Sequence, residues 1–127
     1  VTARVLLVRH GAHDLLGRVL CGRMAGVPLN AAGIEQAERV GFMLQRAGVD
    51  ALYASPLLRA QQTAAPIARV CGMAVEDAPA LNEIDVGDWT GASFDALAED
   101  PRWARSAGWR PGWRRWGKAL PIAPWLR

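Results

Sequence analysis

Apolar positions along the chain fall into short runs broken by glycine and proline. Ala3 to Val8 is an apolar run rich in branched residues that ends in Arg9-His10-Gly11. It reads as a buried strand that delivers polar residues to its C-terminal end, where open α/β sheets bind ligands. The glycine-rich stretch from Gly17 to Gly33, with Pro28 and Asn30, predicts a loop folded back over that strand end. Asn30 then supplies an N-cap, and Ile34, Ala37, Val40, Leu44 and Ala47 recur at helical spacing until Gly48 stops the pattern.

Asp50 to Ala54 predicts a second short strand, and Ser55-Pro56 predicts a helix start with proline at its first position. That helix runs to about Cys71 and is ended by Gly72. Met73 to Val75 predicts a third strand, Pro79 to Gly91 an irregular segment, and Ser93 to Ala98 a short helix. The alternation of strand and helix implies an α/β fold, a parallel sheet with right-handed crossovers. Beyond Pro101 prolines and glycines break every candidate period, although Trp109, Trp113 and Trp116 would share a helical face if Pro111 permitted one.

Composition narrows this picture. With 127 residues, 51% hydrophobic and 21% charged, the chain fits one soluble domain and excludes a disordered or collagen-like polymer. A chain of this size buries about two thirds of its unfolded surface, so a core forms without disulfide or metal staples. Cys21 and Cys71 have no metal-ligand spacing, which points to a reducing cytoplasm. No apolar run approaches the roughly 18 residues of a membrane span, and none reads as an export signal.

Charge divides the chain. Residues 1–100 hold eight arginines against twelve acids, a balance of −4, whereas residues 101–127 hold six arginines and one lysine with no acid, a balance of +7. The same 27 residues carry five of the six tryptophans. A domain over 1–100 and a distinct basic segment over 101–127 are therefore expected. Cations interleaved with tryptophan would suit a nucleic-acid strand or an anionic membrane surface. The plainer account is a segment that only packs, because its prolines prevent a continuous basic helix.

Three places carry candidate chemistry. A neutral imidazole at His10 is a nucleophile near pH 7, and the guanidinium of Arg9 beside it favours the neutral ring and matches a phosphoryl group's oxygens. Arg59 follows a helix start after a strand, where helix amides and a guanidinium make an anion site, with Thr63 one turn on to brace it. Glu83 lies among acids alternating with apolar residues, and a carboxyl beside a bound phosphate is a plausible proton donor. Taken singly, each has a plainer reading: a strand-end histidine, a solvated helix arginine, an exposed acidic loop.

Taken in order, the segments resemble the histidine phosphatase superfamily, which includes the cofactor-dependent phosphoglycerate mutases. The strand with Arg9-His10-Gly11 is similar to the family's phosphohistidine signature, and Gly22 with Pro28-Leu29-Asn30 through Gly33 to its loop into the first helix. Tyr53-Ala54-Ser55-Pro56 with Arg59 and Thr63 resembles the segment of the second phosphate-binding arginine. Leu81-Asn82-Glu83 with Gly87, Trp89 and Gly91 resembles the acid-bearing segment, and it is this likeness that ranks Glu83 above Asp85 and Asp88.

The resemblance implies a three-layer, parallel-sheet sandwich of the phosphoglycerate mutase-like type. It also implies phosphoryl transfer without cofactor or metal: His10 attacks phosphorus, Arg9 and Arg59 hold the oxygens, and Glu83 protonates the departing alcohol. Gly11, His13, Arg23 and Thr63 are supporting candidates. The partner is a small phosphomonoester, and the activity is that of a phosphatase or, second, a phosphomutase.

Two departures bear on this expectation. The family's second histidine, which follows a later strand, has no counterpart, since the histidines here are His10 and His13. Leu15-Leu16 stands where the family often has an asparagine. An inactive phosphate-binding remnant is the third alternative, because removing one member of a cooperating set costs nearly as much as removing several. The segment after residue 100 is expected to lack the family's later strands, through a reading-frame change in GC-rich DNA or natural shortening. An incomplete sheet would favour homo-oligomers.

Overall fold

In a computed structural model of the chain, residues 2–106 are described, and the longest ordered segments are two helices of equal length. The first, α1 (Ala31–Leu44), begins where Asn30 leaves the helical region and accepts a hydrogen bond from Gly33 N at 2.9 Å. The buried face of α1 is Gly33, Ala37 and Gly41, rotated away from the expected apolar stripe, so that Ile34 is half exposed. Small residues at i, i+4 spacing win because they admit neighbouring backbone. A Cβ on Gly41 would stand 3.0 Å from the Pro66 carbonyl oxygen in the second helix.

That second helix, α2 (Leu58–Cys71), starts two residues later than Ser55-Pro56 suggests, with Leu57 as N-cap. Ser55 instead accepts from Leu57 N through its Oγ at 3.3 Å, which shapes the approach to the helix. Gly72 closes α2 in the left-handed conformation, φ 67°, as the sequence predicts. Two short strands flank α2 in the chain, β1 (Tyr53–Ala54) before it and β2 (Glu76–Asp77) after it, paired in parallel with Tyr53 opposite Glu76 and Ala54 opposite Asp77. Helix α2 is thus the crossover of a βαβ unit, and the third expected strand forms at 76–77 rather than 73–75.

The run from Ala3 to Val8 does not form the expected strand. A strand exists through its partner, and the β1–β2 ladder, which is the sheet among the described residues, does not reach it. Val5 is 75% exposed and Leu7 92%. Arg4 is fastened by its guanidinium to the Ala47 carbonyl just beyond α1.

The glycine-rich loop is held by the acid-bearing segment. Leu20 N donates to Ala92 O and Gly91 N to Leu20 O, both at 2.9 Å, around an antiparallel bridge between Val19 and Ser93. Short 3-10 turns at 79–81 and 87–89 lead to α3 (Phe94–Ala98), which begins one residue later than expected because Ser93 is its N-cap, accepting from Ala96 N. A last helix, α4 (Pro101–Ser106), forms where breakers were expected, because proline is tolerated in a first helical turn. Trp103 meets Trp89 edge-on at 5.2 Å, and Trp89 Nε1 donates to Asp100 Oδ2 at 3.0 Å.

Val27, Leu29, Ala37, Ala54, Ala64, Ile67 and Leu97 are among the buried apolar side chains that support this arrangement. Among the described residues no helix is long and apolar enough to cross a membrane. The basic segment beyond Ser106, with Trp109, Trp113 and Trp116, lies outside the described residues.

Candidate functional site

Two helices and two glycines fix the Arg9-His10-Gly11 turn. The Gly11 amide donates to Thr63 Oγ1 at 3.0 Å, and that hydroxyl donates to the Arg59 carbonyl at 2.8 Å. Ala12 N donates to Gln36 Oε1 of α1 at 2.9 Å, and Asn30 N to Ala12 O at 3.0 Å. Backbone meets backbone there: a Cβ on Gly11 would stand 2.4 Å from Gly33 O, so only glycine fits. Thr63 therefore braces the turn beneath His10 rather than the Arg59 guanidinium expected from their spacing.

The ring of His10 is half-buried, with Nδ1 2.9 Å from the Gly11 carbonyl oxygen. A carbonyl only accepts, so Nδ1 carries the proton and Nε2 keeps its lone pair. Burial is the main cause that lowers the His10 pKa below its ordinary value; the Gly11 hydrogen bond opposes it, the charges of Arg59 and Arg9 add to it, and Glu83 opposes it. The ring is neutral near pH 7 and nucleophilic at one defined nitrogen.

Arg59, the second residue of α2, is 3% exposed, with Nη2 donating to Gly22 O at 2.6 Å and Nη1 to Met24 O at 3.4 Å. Its buried charge is thereby solvated by the glycine-rich loop, which it holds near His10. Arg9 is exposed, and its charge acts on both histidine rings.

Glu83 is exposed, its Oε1 accepting from Ile84 N at 2.9 Å. Arg23 reaches across to this segment, donating from Nε to Glu83 O at 2.6 Å and standing 3.9 Å from Asp85 Oδ2. Arg23 thus orients the acid's backbone. Asn82 shares the task, accepting through Oδ1 from Glu83 N at 3.0 Å.

His13 is 5% exposed, and its ring lies 5.3 Å from that of His10 at an interplanar angle of 38°. Burial first, then the charges of His10, Arg59 and Arg9, lower its pKa, while Asp14 raises it.

Arg9, His10, His13, Arg59 and Glu83 thus form one electrostatic group. Surface hollows of about 260 and 380 Å³ lie elsewhere, against Trp89 and Arg102 and against Phe42 and Arg46, and none of the expected site residues lines them. Sequence reasoning missed Gln36, which holds Ala12. Its legible signal is the i, i+3 spacing from Gly33, which puts both on one face of α1.

This geometry has relatives. The sequence profile of the histidine phosphatase superfamily (branch 1) matches residues 5–119. The chain belongs to this superfamily. An uncharacterized protein of Mycobacterium tuberculosis (strain CDC 1551 / Oshkosh) is 40% identical over 116 residues, 87% of this chain and 56% of the relative.

A probable phosphoglycerate mutase of Enterobacter sp. (strain 638) is 33% identical over 112 residues, 88% of this chain and 48% of the relative. Among solved structures, the α-ribazole phosphatase of Shigella flexneri superposes with a TM-score of 0.68 at 31% identity, covering 90% of this chain and 55% of that one. The chain spans about half the length of the relatives it matches. The matched profile runs past residue 100 into the basic segment.

Proposed function

We propose that the chain is a metal-independent phosphomonoester phosphatase that works through a phosphohistidine on His10. The observation that carries this reading is the hydrogen bond from His10 Nδ1 to Gly11 O, which leaves Nε2 unprotonated amid the charges of Arg59, Arg9 and Glu83.

In the first step Nε2 attacks phosphorus in line, the N–P bond forms, and the bond from phosphorus to the alcohol oxygen breaks. Glu83, as the general acid, gives a proton to that oxygen. In the second step water attacks phosphorus, Glu83 takes the water's proton, and the N–P bond breaks to release inorganic phosphate. Arg9 and Arg59 neutralise the non-bridging oxygens throughout, and such electrostatic clamping carries most of a phosphoryl transfer.

The same reading places the chain in the three-layer, parallel-sheet sandwich of the phosphoglycerate mutase-like type, supported by the β1–α2–β2 crossover with α1 packed on α2. The free thiols Cys21 and Cys71 are in keeping with a reducing cytoplasm. The relative named as a probable phosphoglycerate mutase supports a second reading, a phosphomutase, in which a substrate hydroxyl replaces water in the second step.

Incubation with a generic phosphomonoester is expected to leave acid-labile phosphate on the wild-type protein and none on His10→Ala. Labelling that survives the substitution overturns the assignment. Release of inorganic phosphate against formation of an isomeric ester separates phosphatase from mutase.

A further inference from the structure

His13 is the buried polar group that the proposed reaction leaves unused. Its Nδ1 is buried and has no hydrogen-bond partner among the described residues. A buried nitrogen without a partner is a standing cost to the fold, and a persistent one calls for a group that arrives to satisfy it. The loop that carries it is fastened: Leu16 N donates to His13 O at 3.0 Å, and Asn30 Nδ2 holds Asp14 Oδ1 at 3.0 Å.

We propose that His13 is a further phosphate-binding residue, donating from Nδ1 to an oxygen of an anion held by Arg9 and Arg59. The proposal rests on the phosphatase reading of the site.

Its chemistry follows from the charges that face the ring. Burial and the fields of His10, Arg59 and Arg9 keep His13 neutral, with Asp14 opposing them. A phosphoryl dianion seated beside its ring partner His10 reverses the sign of the local field, and an oxygen becomes available as acceptor. The ring then takes one proton from solvent at Nδ1, and no bond to phosphorus is made or broken at His13. A metal ion is the poorer occupant, because among the described residues no group of three histidine, cysteine or acidic side chains could hold one.

Inorganic phosphate is the probe, titrated at pH 7 into the full-length chain labelled with 15N. His13 Nδ1 is expected to move from the lone-pair to the protonated position at the same phosphate concentration that shifts His10. His13→Leu is expected to bind phosphate about tenfold more weakly or worse, the loss of one charge-assisted hydrogen bond. His13→Asn, whose side-chain amide nitrogen stands near the place of Nδ1, is expected to recover most of that loss, which a space-filling role would not do.

A phosphate-induced shift at His10 with His13 unmoved overturns this inference and leaves the phosphatase reading standing. No shift at either ring overturns both. Wild-type affinity in His13→Leu also overturns it, and if the variants fail to fold the wild-type ring signals decide the matter.

Discussion

At the scale of single residues, the site depends on buried groups that each satisfy two demands. Thr63 Oγ1 accepts from Gly11 N and donates to Arg59 O. Thr63→Val keeps the shape and strands a buried amide, so it is expected to cost about 1–3 kcal/mol, measured by urea unfolding. The same change frees the turn under His10, and kcat is expected to fall with stability. Arg59→Lys is expected to behave differently. A lysine keeps the charge but cannot serve the Gly22 and Met24 carbonyls in forked geometry while also clamping an oxyanion. Phosphatase kcat/KM is expected to drop by about a hundredfold or more. A variant within a fewfold of wild type would show that Arg59 serves the loop alone.

At the scale of elements, the contact between α1 and α2 is set by the absence of side chains. On an exposed helix Gly→Ala gains up to about 1 kcal/mol. At Gly41 the added methyl meets Pro66 O at 3.0 Å and Ile67 N at 3.3 Å, both backbone atoms of a packed helix. Overpacking wins, and Gly41→Ala is expected to destabilise by about 1–2 kcal/mol. Gly33→Ala is expected to cost more, since its Cβ would lie 2.0 Å from Ala12 O, and to displace the His10 turn as well.

These contacts also explain what the sequence could disclose. The Asn30 cap and the Gly72 stop were legible because each is a local backbone demand met by a single local residue. The rotation of α1 onto Gly33, Ala37 and Gly41 was not legible, because an apolar stripe marks what is hydrophobic and not how closely a neighbour approaches. The strand expected at 3–8 failed for a related reason: pairing is a property of two segments, and only one is written in the run itself. The proximity of Arg59 and Glu83 to His10 was legible through ordered motifs. The contact of Gln36 with Ala12 was marked only by its helical spacing from Gly33, and the unpartnered Nδ1 of His13 depends on tertiary neighbours that no spacing encodes.

At the scale of the whole molecule, pH and surface decide behaviour. Both His10 and His13 have folded-state pKa values below the ordinary 6.5, with burial as the leading cause. Below about pH 6.5 the unfolded chain therefore binds protons that the folded chain refuses, and stability falls as pH falls toward the folded values. The urea midpoint is expected to drop between pH 7 and pH 5, and His13→Leu is expected to flatten that drop. A midpoint that rises on acidification would contradict the sign.

The exposed run from Val5 to Val8 acts at the same scale. Four consecutive aliphatic residues stand outside any strand among the described residues, next to polar groups of their own backbone. Such a segment is a template for pairing with a second chain, and two copies related by a twofold axis satisfy each other's donors and acceptors. Self-association rising with protein concentration is therefore expected in light scattering. Leu7→Lys places a charge at the most exposed position of the run, 92% accessible, and is expected to suppress association while leaving the unfolding free energy within about 0.5 kcal/mol of wild type. Association undiminished in that variant would move the contact to another surface, such as the one bearing Phe42 and Met43 on α1.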